Sequence, residues 1–243
     1  YAVDDDLELR SGEDLTPTNH AYLTVTYTPN PVVTANVGLT VGDGAGGAGS
    51  AILTLAGPST LKLVGGQALT SNATDGKITS SATAGTPTLT STNATGIAVT
   101  LSGGLDLQGL NFSVGDQNGL KIVHGTQAVA MRNVAFSSIN AAVDSRHLTF
   151  ESAGYVLVAS GCTFGALSAN TYNVWPKDTS AGGVPVRVIL EDRGTNGAGA
   201  GEANDHDDDT DASGLIDGAE SASANHGGAI VQWVYTANPS MSG

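Results

Sequence analysis

The feature that most constrains this chain is a motif that returns three times in its middle. The segments are Leu105-Asp-Leu-Gln-Gly-Leu-Asn-Phe112, Val129-Ala-Met-Arg-Asn-Val-Ala-Phe136 and Leu157-Val-Ala-Ser-Gly-Cys-Thr-Phe164. Each places apolar residues at alternate positions, skips one place at a turn-forming residue, and closes on Phe. The three Phe residues are 24 and then 28 positions apart. A motif recurring at that interval is the mark of a solenoid, in which each coil buries its apolar side against the next. Alternation puts side chains on one face of a strand. The skip marks a corner, where Gly109, Asn133 and Gly161 tolerate a left-handed backbone. Stacking then aligns Leu105 over Val129 and Leu157, Leu107 over Met131 and Ala159, Leu110 over Val134 and Cys162, and the three Phe rings in one row.

These repeats resemble the right-handed parallel β-helix of the pectate-lyase-like superfamily of secreted proteins. The resemblance covers residues 96–167 well and reaches back faintly to about residue 37. It implies a scaffold and carries no catalytic signature. The expected fold is therefore all-β, a right-handed parallel β-helix with a small C-terminal β cap. The alternative is an antiparallel β-sandwich, which also has short alternating strands. The low aromatic content, 5%, suits a thin solenoid better than a wide sandwich.

Around the strong repeats, three regions are expected. Residues 1–20 are a polar acidic arm, 21–175 the β-helix body, and 176–243 a strand pair with an acidic loop. Tyr22-Leu-Thr-Val-Thr-Tyr27 reads as a strand by alternation and β-branched content. Residues 70–95 are the loosest part of the body, where Ile78, Leu89 and Ile97 keep the pattern. The segments 184–190 and 229–235 are expected strands that pair over the last coil and shield its edge. Too many Gly, Ser and Thr interrupt the Ala-rich windows for helix.

Net charge is −14 and unevenly spread. Residues 4–14 and 202–220 hold 6 and 8 of the 23 acids, so the body is near neutral. No basic stripe exists to neutralise phosphates, which argues against nucleic-acid binding. No apolar run approaches the ~20 residues of a membrane span. The single cysteine, Cys162, excludes an intrachain disulfide and reads as a small buried hydrophobe. The chain opens with Tyr1, as a processed form or a fragment would.

The sharpest local signal is Asn204-Asp-His-Asp-Asp-Asp-Thr-Asp-Ala-Ser-Gly-Leu-Ile-Asp217. Asp205, Asp207, Asp209, Asp211 and Asp217 offer the clustered oxygens that Ca²⁺ takes. The spacing is similar to EF-hand and dockerin loops but lacks their glycine and closing acid. A solvated acidic loop is the competing reading, and His206 with His226 a transition-metal one. No other cofactor is expected.

For catalysis, a polyuronate lyase needs basic residues, and the strong repeats have only Lys121, Arg132 and Arg146. A glycosidase needs two facing carboxylates, and the acids there are Asp106, Asp116, Asp144 and Glu151. Asp106 and Arg132 are expected simply to pair on neighbouring coils. The favoured expectation is an extracellular structural or adhesive surface protein, more a scaffold than an enzyme. It would self-associate as a filament or surface-layer subunit through exposed strand edges, with residues 22–27 as the exchanged strand. The alternative is a polysaccharide-binding or polysaccharide-degrading β-helix, with a groove near Asp116, Asp144, Arg146, His147 and Tyr155.

Overall fold

The computed structural model describes residues 31–45, 47, 51–143, 145–167, 171–179, 186–191 and 230–234. The chain winds through three parallel sheets, here A, B and C, placing one strand in each per coil. The first coil is β1 (Val32–Ala35), β2 (Leu39–Val41) and β3 (Ala51–Ala56). The second is β4 (Thr60–Leu63), β5 (Ala68–Ser71) and β6 (Gly76–Ser81), and the third β7 (Thr88–Ser91), β8 (Ile97–Leu101) and β9 (Gly104–Gln108). The fourth is β10 (Asn111–Ser113), β11 (Gly115–Val123) and β12 (Val129–Arg132). The fifth is β13 (Ala135–Phe136), β14 (Arg146–Ser152) and β15 (Val156–Ser160). A sixth comprises β16 (Thr163–Phe164), β17 (Tyr172–Asp178) and β18 (Arg187–Glu191), and β19 (Ile230–Val234) follows. Every pairing among these strands is parallel, so the fold is a β-solenoid and the antiparallel sandwich is excluded. No helix forms among the described residues.

The expected columns are present. Phe112 pairs with Phe136 and Phe136 with Phe164 in direct register. Their ring centroids lie 6.1 Å apart edge-on and 5.0 Å apart stacked. Val33, Leu61 and Leu89 extend the same column backwards through sheet A. Leu107, Met131 and Ala159 align in sheet C, as do Leu105 and Val129. Sheet B adds a column absent from the three-fold motif: Leu39, Leu69, Val99, Leu120, Leu148 and Val174. These side chains fill a continuous narrow core, and each fully buried Leu, Val or Phe contributes about 1.5–3 kcal/mol of transfer free energy.

Successive A-sheet partners Val32, Thr60, Thr88, Asn111, Ala135 and Thr163 step by 28, 28, 23, 24 and 28 residues. Variable corners absorb the differences. The corner from sheet C to sheet A keeps one length across the three motif copies, at residues 109–110, 133–134 and 161–162. Gly109, Asn133 and Gly161 there have φ of 66°, 53° and 63°, the left-handed region that Gly and Asn enter most readily.

Two segments depart from their sequence appearance. Residues 70–95 form regular coils with Ile78 and Leu89 buried. Small Thr, Ser and Ala side chains occupy the outer face and dilute the alternation. Past Trp175, β17 runs through Pro176, which pairs opposite Phe150 at the last strand of sheet B. Proline is tolerated at such an edge because one side of the strand needs no donor. β18 and β19 pair with each other and continue sheet C in parallel beyond β15.

One contact sets how closely coils approach. A Cβ on Gly103 would sit 2.0 Å from the Gly76 carbonyl oxygen and 2.5 Å from that of Asn72. Both obstacles are backbone and cannot rotate aside. Gly103→Ala is expected to destabilise the protein by about 2 kcal/mol through overpacking. Urea unfolding would show this as a lower midpoint, and an unchanged midpoint would mean the coils are not this close.

Candidate functional site

The outer face of sheet B over the last three coils gathers a cluster of charged and aromatic side chains. Register places Lys121, Thr149 and Trp175 side by side, with Val123, Glu151 and Lys177 in the next row. Strand alternation turns these side chains away from the core. Lys121 Nζ and Lys177 Nζ both reach Glu151 Oε1, at 3.0 and 3.1 Å. Burial alone would raise the Glu151 pKa. Hydrogen bonds and charge from the two lysines outweigh it and hold the carboxyl below its usual value. Glu151 is thus a fixed anion, unsuited to donate a proton near neutrality.

Beside it, the Arg146 guanidinium lies 3.9 Å above the Trp175 ring, a cation–π contact. Arg146 Nε donates to Thr149 Oγ1 at 2.9 Å, and Nη2 donates to Asn118 Oδ1. Thr149 Oγ1 donates to the Asn118 carbonyl at 2.8 Å. Asp116 Oδ1 accepts the Asn118 amide at 2.8 Å, which shapes the bulge inside β11. Where sheet B turns toward sheet C, the His124 ring stacks 3.7 Å from Tyr155. Its Nδ1 lies 3.2 Å from Ser152 Oγ. Burial lowers the His124 pKa, against the opposing effect of a hydrogen bond from the imidazole to the Gln127 backbone.

The groove residues read from the sequence therefore separate. Asp116 and Arg146 share the Asn118 cluster, and Tyr155 belongs to the His124 stack. His147 leaves the site altogether: it is buried, 5.8 Å from the rings of Phe136 and Phe164. Asp144 lies outside the described residues. So do Asp205, Asp207, Asp209, Asp211 and Asp217, along with His206, His226 and residues 1–30. Among the described residues, no three His, Cys, Asp or Glu side chains gather as a metal-binding group. Asp106 pairs with Arg132 at 3.3 Å on exposed sheet C, as the spacing predicts.

Besides Asn118, His124 and Thr149, sequence reasoning missed Trp175 and Lys177. The available signal was the alternation of Tyr172, Val174 and Pro176, whose proline disguised the strand.

Two outcomes follow from this chemistry. Glu151→Gln is expected to cost about 1 kcal/mol at pH 7, because a half-buried ion pair with two partners exceeds an exposed one. The folded carboxyl titrates below its unfolded value, so this contribution is present above pH 4.5 and is lost as pH falls through the folded pKa. Wild-type and variant stabilities should therefore converge in acid; a constant gap would contradict it. Separately, burial pushes the Cys162 thiol up to about 11. The folded protein should leave a thiol reagent unconsumed at pH 8 and consume one equivalent in denaturant. Rapid reaction of the folded form would place Cys162 at the surface.

Compared with known protein families, curated proteins and solved structures, the chain matches none.

Proposed function

We propose that this chain is an extracellular structural or adhesive surface protein, a rigid rod that self-associates into a filament or surface layer. The observation that carries the reading is the first coil: among the described residues, β1, β2 and β3 are the terminal strands of all three sheets at once. Terminal strands present unpaired N–H and C=O groups, which add further strands readily. The carboxylates of the described repeats support the same reading. Asp106, Asp116 and Glu151 are each engaged in holding neighbouring coils or a bulge, and none forms the facing pair that sugar hydrolysis uses. The resemblance of the repeats to secreted pectate-lyase-like proteins supports the extracellular setting. The acidic loop supplies Ca²⁺-dependent contacts between subunits. Electron microscopy of concentrated protein, with Ca²⁺ and with a chelator, should show filaments or sheets that shorten on chelation. Strictly monomeric particles in both conditions would reject the assembly.

One arrangement favours a second reading, polysaccharide binding on sheet B. Arg146, Trp175, His124 and Tyr155 offer stacking faces flanked by hydrogen-bond donors, the combination that holds sugars through apolar faces and hydroxyls. A glycan array with a reducing-sugar assay tests it, and silence in both would remove it.

A further inference from the structure

Three Asn-x-Ser/Thr triplets lie in the body: Asn72-Ala-Thr74, Asn93-Ala-Thr95 and Asn111-Phe-Ser113. This pattern is the acceptor of N-linked glycans. By sequence the three are alike, and the fold separates them.

Asn93 sits in the corner between β7 and β8, residues 92–96. Asn93, Ala94 and Thr95 are all exposed. The Thr95 amide donates to Asn93 Oδ1 at 3.0 Å, and the Asn93 amide donates to Ser91 Oγ at 3.2 Å. The Gly96 amide donates to the Asn93 carbonyl at 3.3 Å. These bonds hold the corner as an Asx turn. From the side chain they use the carboxamide oxygen alone. Among the described residues, Asn93 Nδ2 and Thr95 Oγ1 have no partner, and these are the two groups that glycan transfer uses. The neighbouring corners are small. On one side Gly65 carries no Cβ, and an added one would fall 1.8 Å from Asn93 Oδ1. On the other, the next coil crosses the same vertex with Val114 alone.

Asn72-Ala-Thr74 forms the same turn, with the Thr74 amide donating to Asn72 Oδ1 at 2.8 Å, but it is hemmed in. A Cβ on Gly44 of the preceding coil would fall 3.1 Å from Asn72 Nδ2. Gln127 Nε2, two coils further on, donates to the Ala73 and Thr74 carbonyls at 3.1 and 3.3 Å. Asn111 lies inside β10, paired with Thr88 on one side and Ala135 on the other, and its Oδ1 is buried.

We propose that Asn93 is the acceptor site of an N-linked glycan, delivered from a polyprenyl diphosphate-linked oligosaccharide. In that transfer a bond forms between Asn93 Nδ2 and the anomeric carbon of the first sugar. The bond from that carbon to the diphosphate oxygen breaks, and the polyprenyl diphosphate leaves with the electron pair. The displaced Nδ2 proton passes to a base of the transferase. Thr95 Oγ1 supplies the hydroxyl that the triplet requires. The glycan then projects from the vertex between sheets A and B. The inference rests on the extracellular reading, because this transfer takes place on the lumenal or outer side of a membrane.

The full chain, carried by a secretion leader through a eukaryotic secretory host, tests the acceptor directly. Intact mass should show one glycan, removed by an amidase that cleaves the sugar–asparagine bond. Asn93→Gln and Thr95→Ala should each abolish it, and the second keeps the residue-95 amide that forms the turn. Asn72→Gln and Asn111→Gln should leave it in place. An unmodified chain, a glycan that survives Asn93→Gln, or equal occupancy at Asn72 or Asn111 would overturn the proposal. Protease treatment of intact native cells reads the setting separately. Protection there would reject the extracellular reading, while a glycan on Asn93 in the host would still uphold the acceptor.

Discussion

Phe136→Ala is expected to be the most damaging single truncation in the described body, at about 4 kcal/mol, the range for a fully buried phenylalanine. The ring is the middle member of its row, touching Phe112 on one side and Phe164 on the other. His147 closes a third side at 5.8 Å. Removal leaves a void bordered by rings held in strands paired on both edges, so the surroundings cannot collapse into it. For a chain of this length the loss corresponds to a drop in Tm on the order of 10 °C. Phe136→Leu should recover part of it, because most of the volume returns. Calorimetry of both variants measures the ordering. Equal melting of Phe136→Ala and the native protein would show that the row does not support the rod.

Acid should weaken the protein through His147 before it protonates most carboxylates. Among the described residues, neither ring nitrogen makes a well-aligned hydrogen bond. Burial pushes the imidazole pKa down to about 4 from 6.5, against a weaker opposing pull from the Gly165 backbone. Between those values the unfolded chain binds a proton that the folded one refuses, so stability must fall as pH is lowered through the window. The full shift corresponds to about 3 kcal/mol. His124, also depressed, titrates on the same side. The informative experiment is therefore a difference: urea stability of the native chain and of His147→Leu, followed from pH 7 to 4. The native curve should descend more steeply by that amount. Parallel curves would mean the imidazole is not held neutral by the core.

How much could be read beforehand depended on how large the repeating residues are. The Phe row and the Leu107–Met131–Ala159 column are legible because bulky side chains must recur wherever coils superimpose. The left-handed corner is legible for a related reason: few residues other than Gly and Asn tolerate that backbone, so Gly109, Asn133 and Gly161 had to be of those kinds. Residues 70–95 hide the same architecture because a Thr or Ser outer face contrasts weakly with a small inner one. His147 shows the limit of the method. A histidine at a strand start looks like a surface ligand, yet this ring is buried 5.8 Å from those of Phe136 and Phe164. The sheet-B cluster was also out of reach. Arg146 meets Trp175, and Glu151 meets Lys177, only because two corners of unequal length bring β14 and β17 into their observed register.

Those unequal corners have a consequence of their own. Between sheets A and B the fourth coil uses Val114 alone, while the fifth uses residues 137–145, yet Phe112 and Phe136 remain opposed. Length added at that vertex is invisible to the interior. A lineage carrying this framework is therefore free to lengthen, shorten or exchange decorations along one flank, and to change whatever that flank touches, while the stacking beneath needs no compensating substitution.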